Sequence, residues 1–164
     1  MKLSAHALQT HFDSPVGRLI LAAADGRLIG CWFDDQKGLP DLSTVPVQSS
    51  EPVLQRAIGQ LQAYFSGQRR SFDLPLDVST GTEFQQAVWQ ALKAIAYGSH
   101  CSYGELANRI GRPAAVRAVG GAVGRNPLGI ILPCHRVLGA DGSLTGYTGG
   151  MHRKIALLQL EGVL

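Results

Sequence analysis

The sequence predicts an α+β protein (α/β in the broad sense) in two parts: a β-sheet with one helix over residues 1–80, and a helical, helix-turn-helix part over residues 81–164. Three observations predict it. Two apolar runs flank Asp25-Gly26, a dipeptide that marks a two-residue hairpin. Apolar residues at helical spacing dominate after Gly81. The charge also changes sign: residues 1–80 carry seven Lys/Arg against eight Asp/Glu, a net −1, whereas residues 81–164 carry eight against four, a net +4. A chain of 164 residues suffices for one domain with a real core or for two small ones sharing an interface.

In the first part, Leu19–Ala22 and Leu28–Phe33 are the hairpin strands within His11–Phe33. Residues 34–50 are polar and broken by Pro40 and Pro46, so a loop is expected. Glu51-Pro52 starts a helix with Pro at its first position, Leu54, Ala57, Ile58, Leu61, Tyr64 and Phe65 form its apolar face, and Gly67 stops it. Phe72, Leu74, Leu76 and Val78 alternate and predict a further strand. This part carries no evident chemistry and reads as support for the rest.

The second part opens with Thr82-x-x-Gln85, a capping box. Phe84, Val88, Ala91, Leu92 and Ile95 make one helical face, with Gly98 after it. Tyr103–Ile110 reads as a second helix, Gly111-Arg112-Pro113 as a tight turn and Ala114–Gly124 as a third helix, the layout of a helix-turn-helix. The third helix contains Gly120, Gly121 and Gly124, and each interior glycine costs about 1 kcal/mol relative to Ala. A surface that thin implies close approach by a neighbour or ligand, and it leaves Arg117 as the one long side chain on its surroundings. From Glu105 to Arg136 there are five arginines, Arg109, Arg112, Arg117, Arg125 and Arg136, and one acid. Guanidinium groups suit phosphates and base edges. The last helix is expected over Met151–Leu160.

Composition excludes several classes. No apolar run is long enough to span a membrane, and Met1–His6 lacks the apolar core of a secretory signal. Three cysteines without a Cys-x-x-Cys pair speak against a disulfide framework or a zinc site, so no metal is expected, and a reducing, cytoplasmic setting is the simplest home. No internal repeat is present.

Ile130-Ile131-Leu132 leads into Pro133-Cys134-His135-Arg136-Val137, which places Cys134 near the end of, or just past, a buried strand. Cys31, in an apolar strand, and Cys101, in a helix-to-helix connection, read as inert hydrophobes. Cys134 differs in its neighbours. A thiol attacks as thiolate, and the adjacent His135 and Arg136 are expected to favour that form. Successive strand residues face opposite ways, so His135 reaches Cys134 directly only if the chain turns there; a bridging water is the alternative. Glu161, in the last turn of the C-terminal helix where its sign opposes the helix dipole, is a candidate orienter for His135 or an ordinary solvated glutamate.

These residues resemble the O6-alkylguanine-DNA alkyltransferases, also called methylated-DNA–protein-cysteine methyltransferases. The resemblance lies in Pro133-Cys134-His135-Arg136-Val137, Arg117-Ala118-Val119-Gly120-Gly121-Ala122, Asn126-Pro127, Gly146-Tyr147-x-Gly149-Gly150, Leu157-Leu158-x-x-Glu161-Gly162, Phe84-Gln85-x-x-Val88-Trp89 and Ser102–Ala107. It is strong over about residues 81–162 and looser over the first half, through Ser14-Pro15-Val16-Gly17 and Tyr64-Phe65. The resemblance implies an RNase H-like domain over 1–80 and a winged helix-turn-helix domain over 81–164. It implies direct-reversal DNA repair: one irreversible transfer of an alkyl group from O6-alkylguanine, and less well from O4-alkylthymine, in double-stranded DNA to Cys134. His135 would take the proton through a water, Glu161 would orient His135, and Tyr103 would serve N3 of the leaving guanine and rotate the phosphate. Asn126 would brace the turn before Cys134. Arg117 would fill the gap left by the flipped base, with Tyr103, Ala118, Gly121 and Arg125 also at the DNA. Pro133, Val137, Tyr147, Thr148 and Gly149 would line the pocket, Thr148 standing where serine is common. No cofactor is implied. The protein is expected to be monomeric in solution, with cooperative assembly on DNA left open. Two other readings remain: a cysteine hydrolase built on Cys134, His135 and Glu161, which leaves the helix-turn-helix unexplained, and a non-repairing damage sensor, which would lack the reactive cysteine.

Overall fold

Asp25 and Gly26 both take positive φ, 51° and 76°, the primed turn geometry that matches the twist of flanking strands. In the computed structural model, which describes residues 1–164, this turn joins β2 (Gly17–Ala24) to β3 (Arg27–Phe33). A preceding strand, β1 (Leu8–Ser14), pairs antiparallel with β2 through a second tight turn at Ser14–Gly17, giving the sheet order β1-β2-β3. The two-run reading missed β1 because its buried residues, Gln9 and Thr10, are polar and no apolar run marks it. Its second half, His11–Ser14, alternates exposed and half-buried residues.

α1 (Pro52–Phe65) packs on this sheet through Val53, Leu54, Ala57, Leu61 and Tyr64. Glu51 caps it, accepting from the Leu54 amide at 2.7 Å, and Pro52 occupies the first turn. Ile20, Ala22, Ala24, Ile29 and Trp32 are buried in a second cluster, covered by Leu39, Leu42 and Val45 of the long loop. Trp32 folds its ring over Gly30 so closely that a Cβ there would overlap it. Each edge of the sheet meets one isolated bridge, at Gln9 and at Leu28. Gln9 holds the loop through the Leu42 and Val45 carbonyls, and its backbone bonds Pro46 and Gln48. Residues 72–78, expected as a strand, contribute only a bridge between Leu76 and Leu28. Pro75 supplies a carbonyl to Leu28 but no amide, so the ladder does not extend.

Contacts divide the chain into two units, Met1–Thr80 and Gly81–Leu164. The second begins with α2 (Glu83–Lys93), closed by a complete capping box between Thr82 and Gln85. A short β4 (Cys101–Ser102) leads directly into α3 (Tyr103–Arg109), where the Ser102 hydroxyl accepts from the Glu105 amide at 3.0 Å. α4 (Val116–Gly124) starts two residues later than its pattern predicts. Residues 112–115 close a tight turn of their own through the Ala115 amide and the Arg112 carbonyl. α3 and α4 pack on each other and on α2, and the Trp89 indole donates to the Ala122 carbonyl at 2.9 Å. β5 (Val137–Leu138) pairs parallel with β4, and α5 (Met151–Leu160) ends the unit. No helix is long and apolar enough to cross a membrane.

Candidate functional site

The run from Asn126 to Arg136 holds no strand; that expectation is corrected. A buried apolar run of this length reads as strand or as packed turn equally well. Here it turns repeatedly: Ile131 bonds back to Gly129, Leu132 to Leu128 and Cys134 to Leu132, each at 2.8 Å. Ile130 is fully buried with φ at 70°, a left-handed conformation that a β-branched residue adopts only under strain of about 1–3 kcal/mol. Asn126, itself buried, spans these turns, donating from Nδ2 to the Leu132 carbonyl at 2.8 Å and accepting from the Leu128 amide at 2.9 Å. Cys134 then opens a single 3-10 turn, Cys134–Arg136, and β5 follows it.

That turn sets the directions of three consecutive side chains. Cys134 is half-buried and unoxidised. His135 is fully buried, and its Nε2 lies 2.7 Å from Glu161 Oε2. A carboxylate only accepts, so Nε2 carries the proton and Nδ1 presents its lone pair. Nδ1 is buried and bonds no protein atom. Arg136 donates from Nε and Nη2 to Oε1 and Oε2 of the same carboxylate at 2.7 and 3.0 Å, and from Nη1 to the Ile95 carbonyl. Glu161 caps α5 and is buried, not solvated.

Lys154 is a further buried charge. Its ammonium has no exposure and donates to the Val137 carbonyl at 2.7 Å and the Thr145 carbonyl at 3.1 Å. Sequence reasoning missed it. The signal was helical spacing: Lys154, Leu157, Leu158 and Glu161 share one face of α5, so two charges stand on the side that faces inward.

Desolvation pushes the Cys134 thiol up, against hydrogen bonding from Asn126, the charge of Lys154 and hydrogen bonding from Tyr147. The adjacent residues do not supply the help expected of them. Arg136 is committed to Glu161 and Ile95, and the cation that acts on the thiol is Lys154. Desolvation also holds His135 below its ordinary value despite Glu161, so the imidazole is a neutral base. The Lys154 ammonium is lowered by the same burial, while Cys134 favours its charged form.

The remaining candidates fall into two groups. Of the residues expected to line the pocket, Pro133, Val137 and Gly149 are buried, while Tyr147 and Thr148 are half-buried. Tyr103, the first residue of α3, is half-buried, and its hydroxyl accepts from Thr145 Oγ1 at 3.2 Å. The Thr148 hydroxyl donates to the Gly124 carbonyl at 2.7 Å. On α4, Arg117, Ala118 and Gly121 are exposed, and so is Arg125, its C-cap. No group of three or more His, Cys, Asp or Glu side chains is placed to hold a metal ion.

Comparison with known proteins places this arrangement. Residues 83–163 match the DNA-binding domain of 6-O-methylguanine DNA methyltransferase, and residues 8–78 match its ribonuclease-like domain. The chain is 50% identical over 149 residues to a methylated-DNA–protein-cysteine methyltransferase of Mycobacterium leprae, covering 91% of this chain and 88% of the relative. It is 46% identical over 155 residues to the Haemophilus influenzae protein of that name, covering 94% and 86%. Among solved structures, Mycobacterium tuberculosis O6-methylguanine methyltransferase aligns with a TM-score of 0.86 at 47% identity, covering 94% of this chain and 92% of that one. The Mycobacterium tuberculosis OGT structure in complex with DNA aligns at 0.84 and 47% identity, covering 96% and 92%. Both halves of the chain thus match the two domains of one family and half of the aligned residues are identical to a named member, so the chain belongs to the methylated-DNA–protein-cysteine methyltransferase family.

Proposed function

We propose that the protein repairs double-stranded DNA by moving the alkyl group of O6-alkylguanine, and less readily of O4-alkylthymine, onto Cys134. The observation that carries this reading is the buried His135, fixed by Glu161 through Nε2 and bare at Nδ1, on the residue next to a half-buried cysteine. Sγ attacks the alkyl carbon in line, the S–C bond forms, and the bond from that carbon to O6 breaks. The thiol proton passes through a water to Nδ1, and Glu161, held by Arg136, stabilises the imidazolium that forms. The departing guanine carries the O6–C bond pair and needs a donor, a role that suits the Tyr103 hydroxyl. Asn126 holds the turns that present Cys134.

Arg117, exposed on a helix otherwise made of small residues, suits entry into the base stack when the damaged nucleotide swings out. Ala118, Gly121 and Arg125 are exposed on or just after the same helix and suit backbone contact. Pro133, Val137, Tyr147, Thr148 and Gly149 wall the base. The product is a thioether, which has no ready leaving path, so each molecule acts once, as a monomer, in a reducing compartment such as the cytoplasm.

Intact mass after incubation with duplex DNA containing O6-methylguanine tests the reading. A single added methyl mapped to Cys134 is expected, with none on Cys134→Ala although that variant still binds DNA. An unchanged mass with DNA binding intact would leave a damage sensor instead.

A further inference from the structure

Residues 139–150 form the loop between β5 and α5, and Tyr147 within it acts on the Cys134 thiol, favouring its charged form. The loop is tied at two points on either side of Tyr147. Thr145 donates its hydroxyl to the Tyr103 hydroxyl at 3.2 Å, and its carbonyl accepts from Lys154. Thr148 donates its hydroxyl to the Gly124 carbonyl at 2.7 Å. Tyr103 is the first residue of α3 and Gly124 the last of α4. Each helix of the helix-turn-helix therefore holds one end of the segment that carries Tyr147. The Gly124 carbonyl is one of the acceptors a helix leaves unpaired at its C-terminus, so the Thr148 hydroxyl is spent on the protein.

We infer that Thr145 and Thr148 are positioning residues that couple the helix-turn-helix to the substrate loop, so that a duplex seated on α3 and α4 sets Tyr147 over Cys134. The inference rests on the reading of Cys134 as the acceptor of an alkyl group from DNA. A residue that merely held the loop together would slow every substrate alike. A coupling residue penalises the substrate that arrives on the helix-turn-helix.

The test compares the rate of transfer from saturating duplex DNA containing O6-methylguanine with the rate from free O6-benzylguanine. Saturation removes differences in DNA affinity. Thr148→Val is expected to lower the duplex-to-free-base ratio about three- to tenfold, the reach of one hydrogen bond. Thr148→Ser, which keeps the donor, is expected to retain the ratio. Thr145→Val, which cuts the tie to α3, should lower it in the same direction. Equal losses on both substrates, or an unchanged ratio in both valine variants, would overturn the coupling. Absence of transfer by the unaltered protein would remove the alkyl-transfer reading and the coupling with it.

Discussion

At Lys154 a lysine is buried without a carboxylate, and its charge bears on the thiol. Lys154→Met keeps the length and loses the charge. Reaction of Cys134 with iodoacetamide near neutral pH is expected to slow severalfold in that variant, because desolvation of the thiol then goes unopposed by a cation. An unchanged rate would reduce Lys154 to a pin between Val137 and Thr145. His135 makes a separate prediction about stability. Its folded value lies below the ordinary 6.5, so in the interval just under 6.5 the unfolded chain binds a proton that the folded one refuses. Stability is therefore complete above that value and falls as pH drops through it. Urea midpoints should decline over the unit below 6.5, and more steeply than in His135→Gln. The other histidines contribute to both proteins and cancel in the comparison. Of these residues, Cys134 and His135 were legible in the sequence because their chemistry stands out from their surroundings, whereas Glu161 read equally as an orienter or a solvated glutamate. Arg136 was read as an activator of the thiol, since nothing in one dimension says that Glu161 lies across from it.

The elements were legible where a local rule applies and misread where packing decides. Asp25-Gly26, Thr82 with Gln85, and Glu51-Pro52 each specify a turn or cap through their own atoms, and each is found. Ile130–Leu132 offered only hydrophobicity, and the strained Ile130 turn depends on Asn126 bonding residues that follow it. In α4 the glycines do not answer to a neighbour within the protein. A Cβ on Gly120 would meet the Tyr103 ring at an ordinary 3.8 Å, and one on Gly121 would meet only the tip of Arg125. No steric demand inside the protein therefore calls for a glycine at the exposed position 121, and under the proposed function it suits an approaching duplex. Gly121→Ala should raise folding stability by about 0.5–1 kcal/mol, seen as a higher thermal midpoint, while weakening duplex binding. A variant that gained stability and kept full DNA affinity would leave that glycine without a function.

Over the whole molecule, the asymmetry of charge is smaller at the surface than in the sequence. Of the eight basic residues in 81–164, Arg136, Arg153 and Lys154 are buried. The exposed arginines run along the helix-turn-helix: Arg109 ends α3, Arg112 lies in the turn, Arg117 is on α4 and Arg125 caps it. Binding through Arg109, Arg112 and Arg125 releases at most one condensed cation per phosphate contacted, so the logarithm of the association constant should fall with the logarithm of salt with a slope no steeper than about −3. Fluorescence anisotropy across a salt titration measures it. Alanine at Arg109, Arg112 or Arg125 should each make the slope shallower by about 1. Arg117→Ala should cost affinity and repair in duplex DNA with little change in slope, because a side chain that enters the base stack displaces a base and need not neutralise a phosphate. It should slow repair of duplex DNA more than attack on free O6-benzylguanine. A measured slope much steeper than about −3 would require further basic residues, Lys93 of α2 or those in the net-acidic residues 1–80, to reach the backbone as well.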